Sequence, residues 1–152
     1  GNFLVDAELL VIANEIISEF EVLKQKNITF KINHTSLLRA IFLYYSVPID
    51  KYKTLLALVT DFTEKKISKF QLQTSASSLV SAGKSQTVNA LIDTLLVTDI
   101  SLSNISSTNL RVLIKGRGEA TALAKGALRE LETVINLSQA MGVHVIIFLD
   151  II

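Results

Sequence analysis

Two short groups of lysine and arginine side chains have the clearest potential for chemistry, which is the binding of phosphate groups. The first group lies near the end of a predicted helix. The second includes Arg111 and Lys115, which are four residues apart and so share a helix face. Each such cation can neutralise one phosphate of a nucleic acid, which adds salt-sensitive affinity without reading base sequence. A solvated surface without a ligand is the alternative that the same spacing allows. The candidate residues are Lys65, Lys66, Lys69, Arg111, Lys115 and Arg117.

The segment from Lys115 to Gly118 places two glycines and two cations directly before a long predicted helix. Backbone N–H groups and the positive end of the helix dipole could hold an anion there. The segment lacks the Gly-Lys-Ser/Thr ending of a nucleotide-binding loop and does not follow a predicted strand. A flexible, basic joint between two helices explains it equally well, since Glu119 already complements the dipole.

No residue pattern predicts catalysis. His34 and His144 have no second histidine or carboxylate three or four residues away, so we expect no metal site, and His34 is expected to help cap a helix. The sequence has no cysteine, and no serine lies in a Gly-x-Ser-x-Gly turn. Glu130 and Glu132 fall on opposite sides of a predicted helix, which does not favour a carboxylate pair for acid–base work. We therefore predict a chain without catalytic residues, metal or cofactor.

Charge is distributed unevenly along the chain although the net charge is only +1. Residues 34–142 contain twelve Lys and Arg against eight Asp and Glu, whereas the two flanks contain three against six. A basic middle between acidic ends is typical of a surface that meets an anion. An ordinary solubilising surface is the competing interpretation, because many nucleic-acid-binding domains are far more basic.

The composition is that of one globular domain. The 152 residues are 49% hydrophobic and 19% charged, enough for one sizeable core. No run approaches the roughly 18 apolar residues that a membrane span needs, and no signal peptide is recognised. The absence of cysteine suits the cytosol. A start without Met and an apolar end, Phe148 to Ile152, predict a fragment of a longer protein.

The hydrophobic periodicity predicts helices separated by few strands. Apolar residues recur at three- and four-residue steps from about Ala7 to Leu23, which indicates a helix with Asp6 as its N-cap. Alternation over residues 28–32 predicts a half-buried strand. The other predicted elements are a helix capped by Thr35 or Ser36, a helix from Pro48 to about Glu64, a short helix capped by Ser68, a loop over 73–86, a helix over 87–97, a polar stretch over 101–108, a helix over 119–141 ended by Gly142, and a strand over 143–152.

This order predicts a mixed α/β fold of the α+β type. Two strands that are far apart in sequence do not form a stable sheet alone, so further strands are expected. We predict that residues 1–34 and 143–152 are parts of one core, and that residues 35–142 are a mainly helical insertion domain.

Three segments carry a resemblance to a known family. Residues 6–10 read DAELL, residues 32–41 read INHTSLLRAI, and residues 123–132 read LAKGALRELE before a predicted strand. In this order they resemble the core of histidyl-tRNA synthetases. Their amino-acid sequences are more similar to those of the histidyl-tRNA synthetase-like domain of the general-control kinases, which phosphorylate initiation factor 2α. The resemblance covers about a third of the chain and includes no catalytic signature.

The resemblance implies a class II synthetase-like antiparallel sheet, with residues 35–142 as the insertion that lies against tRNA. It implies a cytoplasmic, non-catalytic sensor of amino-acid starvation that binds uncharged tRNA. The six candidate cations, which were identified from charge clustering, are then the expected RNA-binding residues. Its implied partners are the kinase domain of the same parent chain and a second copy in a homodimer. Two alternatives stay open: a protein-interaction or dimerisation module without RNA binding, and a fragment of an active synthetase.

Overall fold

A computed structural model describes residues 3–80 and 85–152 as a mostly helical chain with two short strands, which confirms the predicted mixed α and β class. None of the helices in these two ranges is long and apolar enough to span a bilayer. Short 3-10 helices cover Ile49–Lys51 and Leu102–Ser107. The helices are α1 (Phe3–Glu19), α2 (Glu21–Lys24), α3 (Thr35–Tyr44), α4 (Tyr52–Thr63), α5 (Lys69–Leu79), α6 (Ser85–Leu95), α7 (Arg111–Lys115) and α8 (Glu119–Ala140), and the strands are β1 (Phe30–Ile32) and β2 (Ile147–Leu149).

The two strands pair in parallel, with Phe30 opposite Ile147 and Ile32 opposite Leu149. The implied antiparallel sheet is therefore wrong for these strands. Parallel neighbours require a long crossover connection, and the helices from α3 to α8 form it. One antiparallel bridge joins Ile100 to Leu149 on the other side of β2. β2 is also shorter than the predicted strand over residues 143–152.

The first helix begins earlier and ends earlier than its periodicity predicted. α1 starts at Phe3, so Asp6 lies in its first turn and is not its N-cap. The chain then becomes extended at Phe20 (φ −107°), which separates α1 from the single turn of α2. The predicted continuous helix to Leu23 is therefore two helices. α1 packs against α8, and Ala7 in its first turns is fully buried.

α3 lies at the centre of the helical part. His34 is its N-cap, which confirms the predicted capping role of this histidine. The prediction that Thr35 or Ser36 caps the helix is wrong. The imidazole Nδ1 accepts a hydrogen bond of 3.0 Å from the backbone N–H of Ser36. α3 packs against α8, α6 and α7, so most of its side chains are at least partly buried. Its buried residues are Leu37, Ala40, Ile41 and Phe42.

α5 extends through much of the segment predicted to be a loop. Ser68 is its N-cap, as predicted, and forms a reciprocal capping box with Gln71. The helix continues to Leu79 because Leu72 and Ala76, one turn apart, are both fully buried. Of the predicted loop over 73–86, residues 73–79 and 85–86 are helical, and residues 81–84 lie outside the described ranges.

One continuous hydrophobic core joins these helices to the end of β2. Phe42 is buried with its ring centroid 4.4 Å from that of Tyr52. Gly142 has a φ of +100° and follows Met141, the C-cap of α8, which confirms it as the residue that ends the long helix. The largest fully buried side chains are Phe42, Leu37, Ile41, Leu55, Leu72, Leu91, Ile92, Leu95, Leu110, Leu113, Leu149 and Val59.

Candidate nucleic-acid interface

The first basic group lies at the connection between α4 and α5 and is partly neutralised. Lys66 contacts Glu64 at 2.7 Å, and the hydrogen bond that it donates to this carboxylate raises the pKa of Lys66. Lys69, the first residue of α5, contacts Asp93 of α6 at 3.3 Å. All four side chains are about half exposed or more, so the ion pairs contribute little stability. They nevertheless compete with a phosphate for the two lysines.

Lys65 ends α4 in a conformation that ordinarily belongs to glycine. Its φ is +61°, in the left-handed region. The backbone N–H of Lys65 donates to the carbonyl of Phe62, and that of Lys66 donates to Asp61 at 2.8 Å. These two bonds form a Schellman motif, whose left-handed position favours glycine because a Cβ atom is strained there.

Replacing Lys65 by glycine is therefore expected to raise the free energy of unfolding by about 0.5–1 kcal/mol. The strain of the Cβ atom disappears while the two backbone hydrogen bonds stay. Urea denaturation measures the change. Ser46, which ends α3 with a φ of +56°, is the matched control, and Ser46→Gly should stabilise by a similar amount. A loss of stability in Lys65→Gly would show that the lysine side chain itself holds this connection.

The second basic group is exposed on α7 and in the joint that follows it. Arg111 and Lys115 share one face of α7, as their spacing predicted, and Arg117 follows in the joint. Within residues 3–80 and 85–152, no ion pair joins any of the three to an acidic side chain. These three cations are consequently available to an external anion.

The joint between α7 and α8 is held in place more firmly than a flexible linker. The buried hydroxyl of Thr121 donates a hydrogen bond of 2.7 Å to the carbonyl of Leu113 in α7. A Cβ atom on Gly116 would lie 2.9 Å from the Thr121 hydroxyl oxygen and 3.1 Å from the carbonyl oxygen of Val112. Gly118 has a φ of +106°. The glycines therefore permit a close turn, which fixes the second basic group relative to α8.

The two groups lie on different helices. The first is bounded by α4, α5 and α6, and the second by α7 and α8. Sequence spacing identified both groups but gave no sign that Asp93, 24 residues from Lys69, would pair with the first group.

The two histidines occupy different settings. His34 lies beside a cavity of about 510 Å³ between α1, the end of β1 and α8. Its Nδ1 accepts from Ser36, so the proton of a neutral imidazole is on Nε2, which faces a carboxylate oxygen of Glu130. Both ring nitrogens are thereby engaged in structural contacts. His144 is exposed before β2. No group of three or more His, Asp or Glu side chains among the described residues is arranged to hold a metal ion.

Comparison with known proteins gives one consistent similarity. No family model matches the chain. It is 27% identical over 153 residues to the eIF-2-alpha kinase GCN2 of Homo sapiens. The aligned stretch covers 99% of this chain and 9% of the kinase. The kinase of the same name from Mus musculus is 29% identical over 142 residues, covering 92% of this chain and 8% of that protein. The chain thus spans less than a tenth of the length of these curated relatives. Over nearly its whole length, it is similar to a short stretch of eIF-2-alpha kinases.

Proposed function

We propose that this chain is a non-catalytic, tRNA-binding regulatory part of a kinase that phosphorylates initiation factor 2α. The similarity to eIF-2-alpha kinases supports a place in such a kinase. The relatives are matched over less than a tenth of their length, which leaves the kinase domain itself to other parts of such a protein. In this proposal uncharged tRNA is the ligand, and its binding reports amino-acid starvation to the kinase domain of the same chain.

The observation that carries the RNA-binding half of the proposal is the second basic group. Arg111, Lys115 and Arg117 are exposed, without an acidic partner among the described residues, and fixed by the tight joint at Gly116. Cations held on a rigid support lose less conformational entropy when they bind phosphate than cations on a flexible loop. We assign Lys65, Lys66 and Lys69, which lie on other helices, a secondary role in RNA binding, because Lys66 and Lys69 first have to leave Glu64 and Asp93.

The remaining parts of the proposal concern organisation. We propose residues 1–34 and 143–152 as parts of a synthetase-like core, with the parallel pair β1–β2 inside a larger sheet. Residues 35–142 are then the insertion domain that meets tRNA. A cytoplasmic location and a homodimer complete this proposal.

Replacing Arg111 and Lys115 together by alanine is expected to weaken binding of deacylated tRNA about ten-fold near 0.1 M salt. When phosphate contacts are lost, fewer counterions are released on binding. The slope of log affinity against log salt concentration should therefore become shallower by about one to two units. Filter binding or fluorescence anisotropy at several salt concentrations measures both quantities.

The control removes the same charges elsewhere. Lys125 and Arg129 are also four residues apart on an exposed helix face, in α8. Their double alanine variant should change the affinity and the salt slope much less. Equal effects of both double variants would reduce the proposal to a general charge effect, and unchanged binding in the Arg111/Lys115 variant would remove these residues from the interface.

The exposed face of α1 favours a second candidate function, a protein-interaction module. Leu9, Ile12, Ile16 and Phe20 recur along one side of α1 and its end, and each is about half exposed. Contiguous exposed apolar surface of this kind marks protein contacts. Sedimentation with and without tRNA separates the two functions. A concentration-dependent dimer that does not shift with tRNA at low salt would favour the interaction module.

A further inference from the structure

The outer edge of β1 carries backbone groups without a partner. On its inner side, the N–H of Phe30 donates to the carbonyl of Ile146 at 2.9 Å. The carbonyl of Ile32 accepts from the N–H of Asp150 at 3.0 Å, so Phe30 and Ile32 direct their backbone groups towards β2. Because successive residues of a strand alternate in this direction, the N–H and the carbonyl of Lys31 point away from β2. Neither group has a hydrogen-bond partner among the described residues.

The other edge of the strand pair is already in use. Leu149 of β2 exchanges two backbone hydrogen bonds with Ile100, of 2.7 and 3.1 Å, on the side away from β1. Two strands rarely form a stable sheet alone, so a further strand has to find its place at β1. The residues along this free edge, Thr29, Lys31 and Asn33, are all exposed.

The cavity beside His34 lies on one face of this free edge. Side chains of a strand alternate between its two faces. Ile32 therefore lines the cavity of about 510 Å³, whereas Lys31 faces the other side and contacts Asp99 and Asp150. Residues directly opposite each other on neighbouring strands point to the same face, so a side chain opposite Ile32 on an added strand would lie against this cavity. The other apolar side chains that line the cavity, from α1 and α8, are Phe3, Leu9, Leu10, Leu131 and Val134.

The surroundings of the free edge are acidic. Asp6 and Glu130 line the cavity, and no lysine or arginine of the described ranges joins them there. On the opposite face, the single cation of Lys31 meets two carboxylates. Four carboxylates thus surround one lysine, which favours an added strand with basic ends over one with acidic ends.

We propose that the free edge of β1 binds a third strand with alternating apolar and polar residues and basic ends, whose apolar side chains enter this cavity. The inference rests on the larger sheet of the proposed function, since it takes the strand from another stretch of the parent chain. The matched stretch is only 9% of the human kinase, so a parent of that size has ample chain for such a strand.

The chemistry of the edge favours a strand over other occupants. Strand addition gains affinity from backbone hydrogen bonds and specificity from pockets for alternate side chains, and both features are present here. A small apolar molecule could fill the cavity but would leave the backbone groups of Lys31 unpaired. A nucleic acid would place its phosphates among the four carboxylates.

Peptide binding to the 152-residue chain tests this inference. The probe is the blocked, fluorophore-labelled peptide Lys-Thr-Leu-Thr-Leu-Thr-Lys, and anisotropy should report a Kd on the order of 0.1–1 mM. Two further peptides carry a methyl group on the backbone nitrogen, either of the central threonine or of the leucine after it. These nitrogens point to opposite edges of the peptide strand, so only one of them faces β1. One methylated peptide should therefore bind at least ten-fold more weakly, and the other should bind within about two-fold of the parent peptide.

Matched variants of the chain test the same contact from the other side. Lys31→Pro removes the outward N–H but keeps the ladder to β2, because proline is tolerated where the N–H of an edge strand faces away from the sheet. It should raise the Kd at least ten-fold, whereas Lys31→Ala keeps the N–H and should change the Kd no more than about two-fold. Leu9→Gln alters the cavity wall and should raise the Kd about five-fold. Leu4→Gln is its control, since Leu4 is similarly exposed on α1 but does not line the cavity.

The remaining arms of the experiment address the source of the strand. The full-length parent protein should not bind the peptide, because its own strand fills the edge, and binding as tight as that of the 152-residue chain would overturn this source. A dimer in sedimentation that Lys31→Pro abolishes would overturn it in favour of a second copy. Absence of peptide binding at millimolar concentration, or equal binding of the two methylated peptides, would overturn the inference as a whole. A chain that binds the peptide but no tRNA would contradict the RNA part of the proposed function and support the third strand.

Discussion

Replacing Phe42 by alanine is expected to lower the free energy of unfolding by about 3–5 kcal/mol. Phe42 is 1% exposed and belongs to the continuous core, and its ring lies 4.4 Å from the ring of Tyr52 between centroids. Alanine would lose the transfer free energy of a whole ring and leave a cavity. The surrounding helices can fill that cavity only in part, because their side chains already interdigitate.

This expectation exceeds half of the total stability of many domains. The variant should therefore be partly unfolded at ambient temperature or show a much lower midpoint in urea. Phe70 is the matched control, since it is 74% exposed in α5. Phe70→Ala should change the free energy of unfolding by no more than about 0.5 kcal/mol. Similar values for the two variants would show that α3 does not form the centre of the core.

A helix could be predicted from the sequence where its buried residues recur at regular helical spacing. The long helix α8 and its end at Gly142 were predicted within one or two residues, because its apolar residues recur at three- and four-residue steps. α5 was cut short in the prediction because its second half, residues 73–79, is rich in Ser and Thr. Ala76 within that half and Leu72 directly before it are fully buried, so tertiary burial outweighs weak helix propensity.

The direction of the sheet could not be predicted from periodicity. Alternation of apolar and polar residues gives a strand and its two faces, but it does not state which strand lies beside it or in which direction. The parallel pairing depends on how α3 to α8 carry the chain back to β1. That the candidate cations are exposed could be predicted from the sequence, because charged side chains are almost never fully buried without a partner. The pairing of Lys66 with Glu64 is local and could be predicted. The pairing of Lys69 with Asp93 could not, because the two residues are distant in sequence.

His34 illustrates how a contact that sequence could not give determines stability. One nitrogen of its ring caps α3 through Ser36, and the other contacts Glu130, 96 residues later in α8. The capping contact is local and could be predicted. The contact with Glu130 joins the two helices that pack most closely, and only the fold brings it about.

Replacing His34 by alanine is expected to lower the free energy of unfolding by about 2 kcal/mol. Loss of the N-cap costs about 1 kcal/mol. Loss of the contact with Glu130 adds about 1 kcal/mol, towards the low end for a hydrogen bond to a charged group because this carboxylate is half exposed. Chemical denaturation of the variant and of the native chain measures the difference.

Two further variants divide this effect into its parts. His34→Asn keeps an acceptor for the Ser36 N–H but is too short to reach Glu130, so it should lose only the interhelical contact. Glu130→Ala keeps the cap and removes the same contact, so these two variants should be destabilised by similar amounts, each about half the effect of His34→Ala. If Glu130→Ala is neutral while His34→Ala still loses about 2 kcal/mol, the imidazole acts through its cap and its packing. The pairing with α8 would then contribute little to stability, since replacing either partner breaks the same contact.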